Sequence, residues 1–307
     1  MYECAKQFVP GPYFKLLLME PLKGESLIKL LDDPDQMVFE AVSRKIQQLG
    51  PELLPDLESA AREAMSPLLH ERIEKIIKIL QFNQLKTDLS EWINSPFPRL
   101  IEGAWLMVRY QFPDLSKQQF SLLIKPFRDE IWLEISDVLT ALEKIRIMNT
   151  LLYAKNRIHL NVTHPESPGN NFINRVVETG KANEYSLNLL YAIVAQELGL
   201  PVFAVEMPDH PILSYVDMPL VPEESINPEL FDVLFYINPT DKGSVHSRND
   251  ITNFLLSQSL PPEQIFYQPR TNPEFIRICL KKLASDYQLS GSEIRYSQVQ
   301  DLLSLWK

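Results

Sequence analysis

Cysteine is nearly missing from this chain: two occur in 307 residues, Cys4 and Cys279. Two isolated thiols supply neither a disulfide framework nor the ligands of a zinc site, and they fit a reducing compartment. Glycine is scarce too. None of the nine is clustered as GxGxxG or GxxxxGK, which excludes a phosphate-cradling loop of either kind. No run of about 18 apolar residues exists, so nothing is expected to span a membrane. Basic residues are outnumbered 40 to 30, and the net charge of −10 argues against nucleic acid or an anionic membrane as the partner. The first residues lack a basic region followed by an apolar run and a cleavage site. No signal peptide is expected, and the expected location is the cytoplasm. His159 and His164 stand five apart with no Cys and no HExxH pattern nearby. We therefore expect no metal site and no cofactor.

What is present is apolar, at 45% hydrophobic against 23% charged residues, enough for a globular core. Most of it recurs at helical spacing. Leu27, Ile28, Leu30 and Leu31 mark a short helix, then Val38, Ala41, Val42, Ile46 and Leu49 a second, with Leu53, Leu54 and Leu57 opening a third. Asp32-Asp33-Pro34 and Gly50-Pro51 separate them. Residues 68–94, 99–112 and 117–153 continue the pattern, and Pro126 is expected to kink or divide the last. Trp92, Trp105 and Trp132 read as packing anchors and His70 as a solvated helix residue. From Lys155 to Gly169 the sequence turns polar, and His159 and His164 read as loop residues.

Residues 170–216 organise the rest. They read as a polar loop, a helix apolar nearly all round over 187–198, a Gly-Leu-Pro turn and two strands, PVFAVE and PILSYV, with His210 between them. Gly199 suits the position after the helix, and Pro201 blocks continuation. An acidic, proline-rich excursion over 216–232 leads to a third strand, VLFYIN, ending at Asn238-Pro239. A helix over 247–258 follows, with His246 expected to be exposed just before it. The last residues read as two helices around Gly291, with Cys279 in the packed stripe of the first. The expected fold is α+β and mostly helical. A central helix packs on a small antiparallel sheet between helical N- and C-terminal regions.

FINRVVETGKANEYSLNLLYAIVAQELGLPV (172–202), MPDHPILSYV (207–216) and LFYINPTDKG (234–243) resemble the papain-like core of the transglutaminase-like superfamily. More narrowly, they are similar to its bacterial SirB-type proteins. The LLDDPD…V…LG…LP pattern near the start resembles one HEAT repeat, and the last two helices are similar to a tetratricopeptide-like tail. These likenesses divide the chain at 1–95, 96–258 and 259–307. The resemblance implies a Cys-His-Asp site: a thiol at the start of the central helix, a histidine base on the next strand and an aspartate that orients it.

Carried onto this chain, the base is His210 and the orienting position is Asn238. The cysteine position falls on Glu184, and the nearest hydroxyl is Ser186. Asn183 and Tyr191 join Glu184 as candidate binding residues. Glu184 and Ser186 are separated by about 200° around a helix, so both cannot readily face one imidazole. Either Glu184 meets His210 as a carboxylate imitation of the thiolate, or Ser186 turns inward and completes a Ser-His-Asn site. Each residue also has a structural reading: Ser186 and Glu184 as first-turn groups and Asn238 as a turn opener. Asp241, three residues on, is a further candidate for the missing acid. The expected function is non-catalytic binding of a protein or peptide partner in the remnant cleft. The alternatives are a residual acyltransferase or hydrolase, and a scaffold in which only the helices matter.

Overall fold

A computed structural model describes residues 24–153, 158–218 and 227–306. Cys4, residues 155–157 of the polar stretch and residues 219–226 of the acidic excursion lie outside them. The chain divides into two compact units, one ending at Thr87 and the other beginning at Asp88. The break falls inside a helix, ahead of residue 95, and the C-terminal helical pair belongs to the second unit.

The first unit contains helices α1 (Gly24–Leu30), α2 (Gln36–Leu49), α3 (Leu54–Glu63) and the larger part of α4 (Pro67–Ile93). Asp35 caps α2 by accepting from Met37 N at 2.8 Å, which supplies an acceptor for one of the orphan amides of a helix start. Leu27, Leu31, Val42, Ile46, Leu57, Ile73 and Ile76 form a core with no exposed surface. Arg72 is buried beside it. Its Nη1 donates to the carbonyls of Leu31 and Asp33 at 2.8 and 2.5 Å, just past the end of α1, while the guanidinium stacks on Phe39. A cation at a helix C-terminus matches both the free carbonyls and the helix dipole.

In the second unit come α5 (Leu100–Arg109), α6 (Lys117–Trp132) and α7 (Ala141–Tyr153). Pro126 lies within α6 and does not divide it. The capping box of Ser116 with Gln119, and the buried stripe of Phe120, Ile124, Phe127 and Ile131, hold the helix through the one bond that proline cannot make. The division comes at residues 133–140 instead, where Thr140 and Glu143 exchange backbone and side-chain bonds at the start of α7. Trp92 and Trp105 pack as expected, their Nε1 atoms donating to the carbonyls of Arg99 and Leu115. Trp132, at the end of α6, does not: it is 66% exposed.

The expected polar loop before the central helix holds a short helix, α8 (Ile173–Thr179), whose Ile173 and Val176 are buried. Two-residue strands β1 (His159–Leu160) and β2 (Lys181–Ala182) pair in parallel on either side of it. The central helix α9 (Glu184–Glu197) follows, with every residue from Ser186 to Ala195 buried. Its end is a Schellman turn: Leu200 N bonds Ala195 O at 2.9 Å and Gly199 N bonds Gln196 O at 3.0 Å, with Gly199 at φ +75°.

Strands β3 (Val202–Val205), β4 (Ile212–Val216), β5 (Val233–Asn238) and β6 (Ser244–His246) form an antiparallel meander in that order. The three expected strands are present, and β6 is additional. His246 is partly buried there, its Nε2 2.8 Å from Ser244 Oγ. Helix α10 (Arg248–Ser257) adds Ile251 and Leu255 to a small core with Val205, Ile212, Tyr236 and Tyr267. Helices α11 (Asn272–Leu289) and α12 (Glu293–Leu303) complete the unit around Gly291, and α11 packs on α5 and α9. Cys279 is buried in α11, as the stripe implied.

Gly243 sits at φ +74°, and a Cβ placed there meets Asn149 Oδ1 at 2.0 Å. Gly243→Ala is expected to cost about 2–4 kcal/mol, combining left-handed strain with overpacking. Urea denaturation measures it; an unchanged midpoint would contradict this packing.

Candidate functional site

The candidate site is built from one helix start and one end of the sheet. Asn183 is the N-cap of α9. Its Oδ1 accepts from Ser186 N at 2.8 Å, and its own N–H donates to Ser186 Oγ at 3.1 Å. Ser186 Oγ also lies 3.3 Å from Asn183 O, and the residue is 1% exposed. The hydroxyl carried over as a nucleophile is therefore half of a capping box. Glu184 occupies the first helical position and is partly exposed.

A chain of buried polar groups runs on from the cap. Asn183 Nδ2 donates to Asn171 Oδ1 at 2.9 Å, and Asn171 Nδ2 donates to Asp286 Oδ2 at 2.7 Å. Asp286, on α11, has no exposed surface, and its other oxygen is paired with Lys282. Burial pushes its carboxyl above the usual aspartate range, with the bonds from Lys282 and Asn171 opposing. Neither Asn171 nor Asp286 was among the sequence candidates. The available signal was an acid continuing the buried spacing of Cys279 and Leu283.

His210 lies in the bend between β3 and β4. Tyr185, in the first turn of α9, donates its hydroxyl to the carbonyl of Asp209 at 3.1 Å, which ties the helix start to this bend. Leu213 pairs with Ile237, so the positions of His210 and Asn238 fall at the same end of the sheet. Among the described residues, no hydrogen bond joins His210 to Glu184, Ser186 or Asn238, and the buried Nε2 of His210 has no partner. Asn238 Oδ1 accepts instead from Thr240 N and Thr240 Oγ1, at 3.1 and 2.6 Å, as the opener of a short 3-10 turn. Asp241 ends that turn and is exposed.

Further along α9, polar groups are bonded internally. Tyr191 donates to Asn149 Oδ1 at 2.6 Å, Asn149 Nδ2 donates to Gly243 O at 2.7 Å, and Tyr153 donates to Pro239 O at 2.8 Å. Burial raises the phenols of Tyr191 and Tyr153, so both stay protonated donors. Asn188, fully buried, donates to Glu184 O at 2.7 Å and leaves Oδ1 without a partner. Asn183 and Tyr191, read as binding residues, thus have their polar atoms bonded internally. The Cys279 thiol is buried, and burial raises its pKa. Among the described residues, no group of three or more His, Cys, Asp or Glu could hold a metal ion. No helix among them is long and apolar enough to cross a membrane.

Asp286→Ala is expected to cost about 3 kcal/mol in chemical denaturation, the low end for a broken buried pair because Lys282 still reaches solvent. A pKa raised by folding means that the folded state keeps its proton at a pH where the unfolded chain has lost it. This contribution to stability therefore falls as pH rises from the unfolded aspartate value through the raised one. Asp286→Asn is expected to remove that slope, read from denaturation midpoints between about pH 3 and 7.

The family model for the transglutaminase-like superfamily matches residues 118–281, from α6 into α11. Two curated relatives, each a UPF0162 protein of Xylella fastidiosa, strains Temecula1 and 9a5c, are 27% identical over 111 residues. That stretch is 36% of this chain, and the chain spans 40% of the length of those relatives. No solved structure matches the chain. The match covers more than half of the residues and encloses the buried helix with its four-stranded sheet, and on that ground the chain belongs to the transglutaminase-like superfamily.

Proposed function

We propose that this chain is a non-catalytic member of its superfamily, a SirB-type protein whose remnant cleft binds a protein or peptide partner. The HEAT-like and tetratricopeptide-like characters of the flanking helices belong to the same reading, as does a cytoplasmic location.

The observation that carries it is the state of Ser186. Its Oγ is taken up by the capping box of α9, and it is buried away from solvent. Attack by that hydroxyl requires it to leave the box, which costs on the order of 1 kcal/mol or more for a lost N-cap interaction. It also requires a base within hydrogen-bond reach, and no bond joins it to His210. Glu184 stands where the superfamily carries its thiol, and a carboxylate is a poor acyl-transfer nucleophile. Cys279 is buried with a raised pKa, the opposite of an activated thiol. Asn238 spends its carbonyl oxygen on its own turn, and an amide provides no charge to stabilise an imidazolium.

One observation favours the alternative, an acyltransferase or hydrolase with a Ser-His-Asn site. The buried Nε2 of His210 has no internal partner, and a buried ring nitrogen without one points to an outside group that completes it. A bound peptide amide or hydroxyl satisfies that nitrogen equally well without chemistry.

Wild-type protein is expected to give no turnover above background on glutamine peptides with an amine acceptor, or on simple esters. Turnover that disappears in His210→Ala would overturn the non-catalytic reading. Glu184→Cys tests the framework separately. Its thiol is expected to titrate below the ordinary value of about 8.5 in iodoacetamide kinetics, because it sits at a helix start tied by Tyr185 to the bend that carries His210. A thiol titrating at or above that value would show that the helix start and His210 do not act on position 184.

A further inference from the structure

Helices α11 and α12 enclose a groove of about 350 Å³ lined by Arg277, Lys281, Ser285, Gln288, Tyr296 and Gln300, with Leu303 at its apolar edge. It is distinct from the Glu184–His210 site, and no residue already given a role there lines it. Its charge is of one sign, opposite to that of the chain as a whole. Arg277 and Lys281 lie one turn apart on α11, and no carboxylate lines the groove.

Both cations are held loosely. Arg277 reaches Glu274 at 3.3 Å and Lys281 reaches Glu206 at 4.0 Å, against about 2.7–2.9 Å for a tight charge-assisted bond. The side chains of Ser285, Gln288, Tyr296 and Gln300 have no hydrogen bond to any described residue. A wall of uncommitted donors and acceptors with two slack cations at one end has the chemistry of a receptor for an anionic, hydrogen-bonding ligand. From Arg277 to Gln288 the groove follows α11 for about 16 Å, the length of roughly five residues of extended chain. That length exceeds what a single small anion fills.

We propose that this groove binds a short acidic peptide segment of a partner protein. Its carboxylates pair with Arg277 and Lys281, and its main chain meets the amides of Gln288 and Gln300. The net charge of −10 does not prevent this. At physiological salt the Debye length is about 8 Å, so acids farther than that from the groove are largely screened. The proposal is independent of whether the His210 cleft binds anything.

The test is fluorescence anisotropy with fluorescein-labelled Glu-Asp-Glu-Leu-Glu and its uncharged counterpart Gln-Asn-Gln-Leu-Gln. The acidic probe is expected to bind at least tenfold more tightly and to weaken as salt is raised. The double variant Arg277→Gln/Lys281→Gln is expected to lose at least tenfold in affinity, whereas Arg62→Gln, which removes an exposed cation on α3, leaves it unchanged. The two single variants, each expected to lose part of the affinity, carry the test if the double variant fails to fold by circular dichroism. Equal affinity for the two probes, or undiminished binding by the charge variants, overturns the proposal. Full displacement by an equimolar amount of inorganic phosphate overturns it too, by assigning the groove to small anions.

Discussion

A helix buried along most of its length must find partners within the protein for the polar groups of its buried start, and that constraint shapes this molecule. From Ser186 to Ala195 every residue of α9 is inside. The first amides of such a helix need internal acceptors, because a buried backbone donor left alone costs about 1–3 kcal/mol. Asn183 and Ser186 meet that need between them, and Asn171 and Asp286 hold Asn183 in turn. The carboxylate at the far end of this chain is expensive to bury and is tolerated because Lys282 and Asn171 both satisfy it. The hydroxyl of Ser186 is thereby bonded within its own helix start.

Hydrogen bonds fix the sheet side of the candidate site as well. The hydroxyl of Tyr185 on the Asp209 carbonyl ties the helix start to the bend that carries His210, and Asn238 closes its own turn. Around these, Asn149, Tyr191 and Tyr153 tie α7 to α9 and to the turn after β5. What the arrangement leaves open is narrow: the Nε2 of His210 and the Oδ1 of Asn188.

Much of the architecture was legible beforehand because strong periodicity and punctuation coincide. The helix over 187–198 announces itself by apolar residues on all sides and by Gly199 and Pro201, and three strands by short β-branched runs. Legibility failed where elements are short or where packing overrides local preference. Helix α8 is seven residues long within a stretch rich in Asn and Thr, and β6 is three residues long. Pro126 stays inside α6 because a buried stripe outweighs one missing bond, while the break falls at an unremarked Thr140–Glu143 box. Trp132, the last residue of α6, lies exposed, which composition does not reveal.

Sequence alone determined the class of the fold and the central helix with its stops. Those follow from local periodicity, turn residues and order along the chain, all of which are properties of neighbours. Tertiary structure alone decided what the buried polar groups are bonded to. The reach of Asp286 across 115 positions to Asn171 and the unpaired Nε2 of His210 arise from contacts distant in sequence. Hydrogen-bond satisfaction in a buried interior is a property of the whole packed arrangement, so no local pattern announces it.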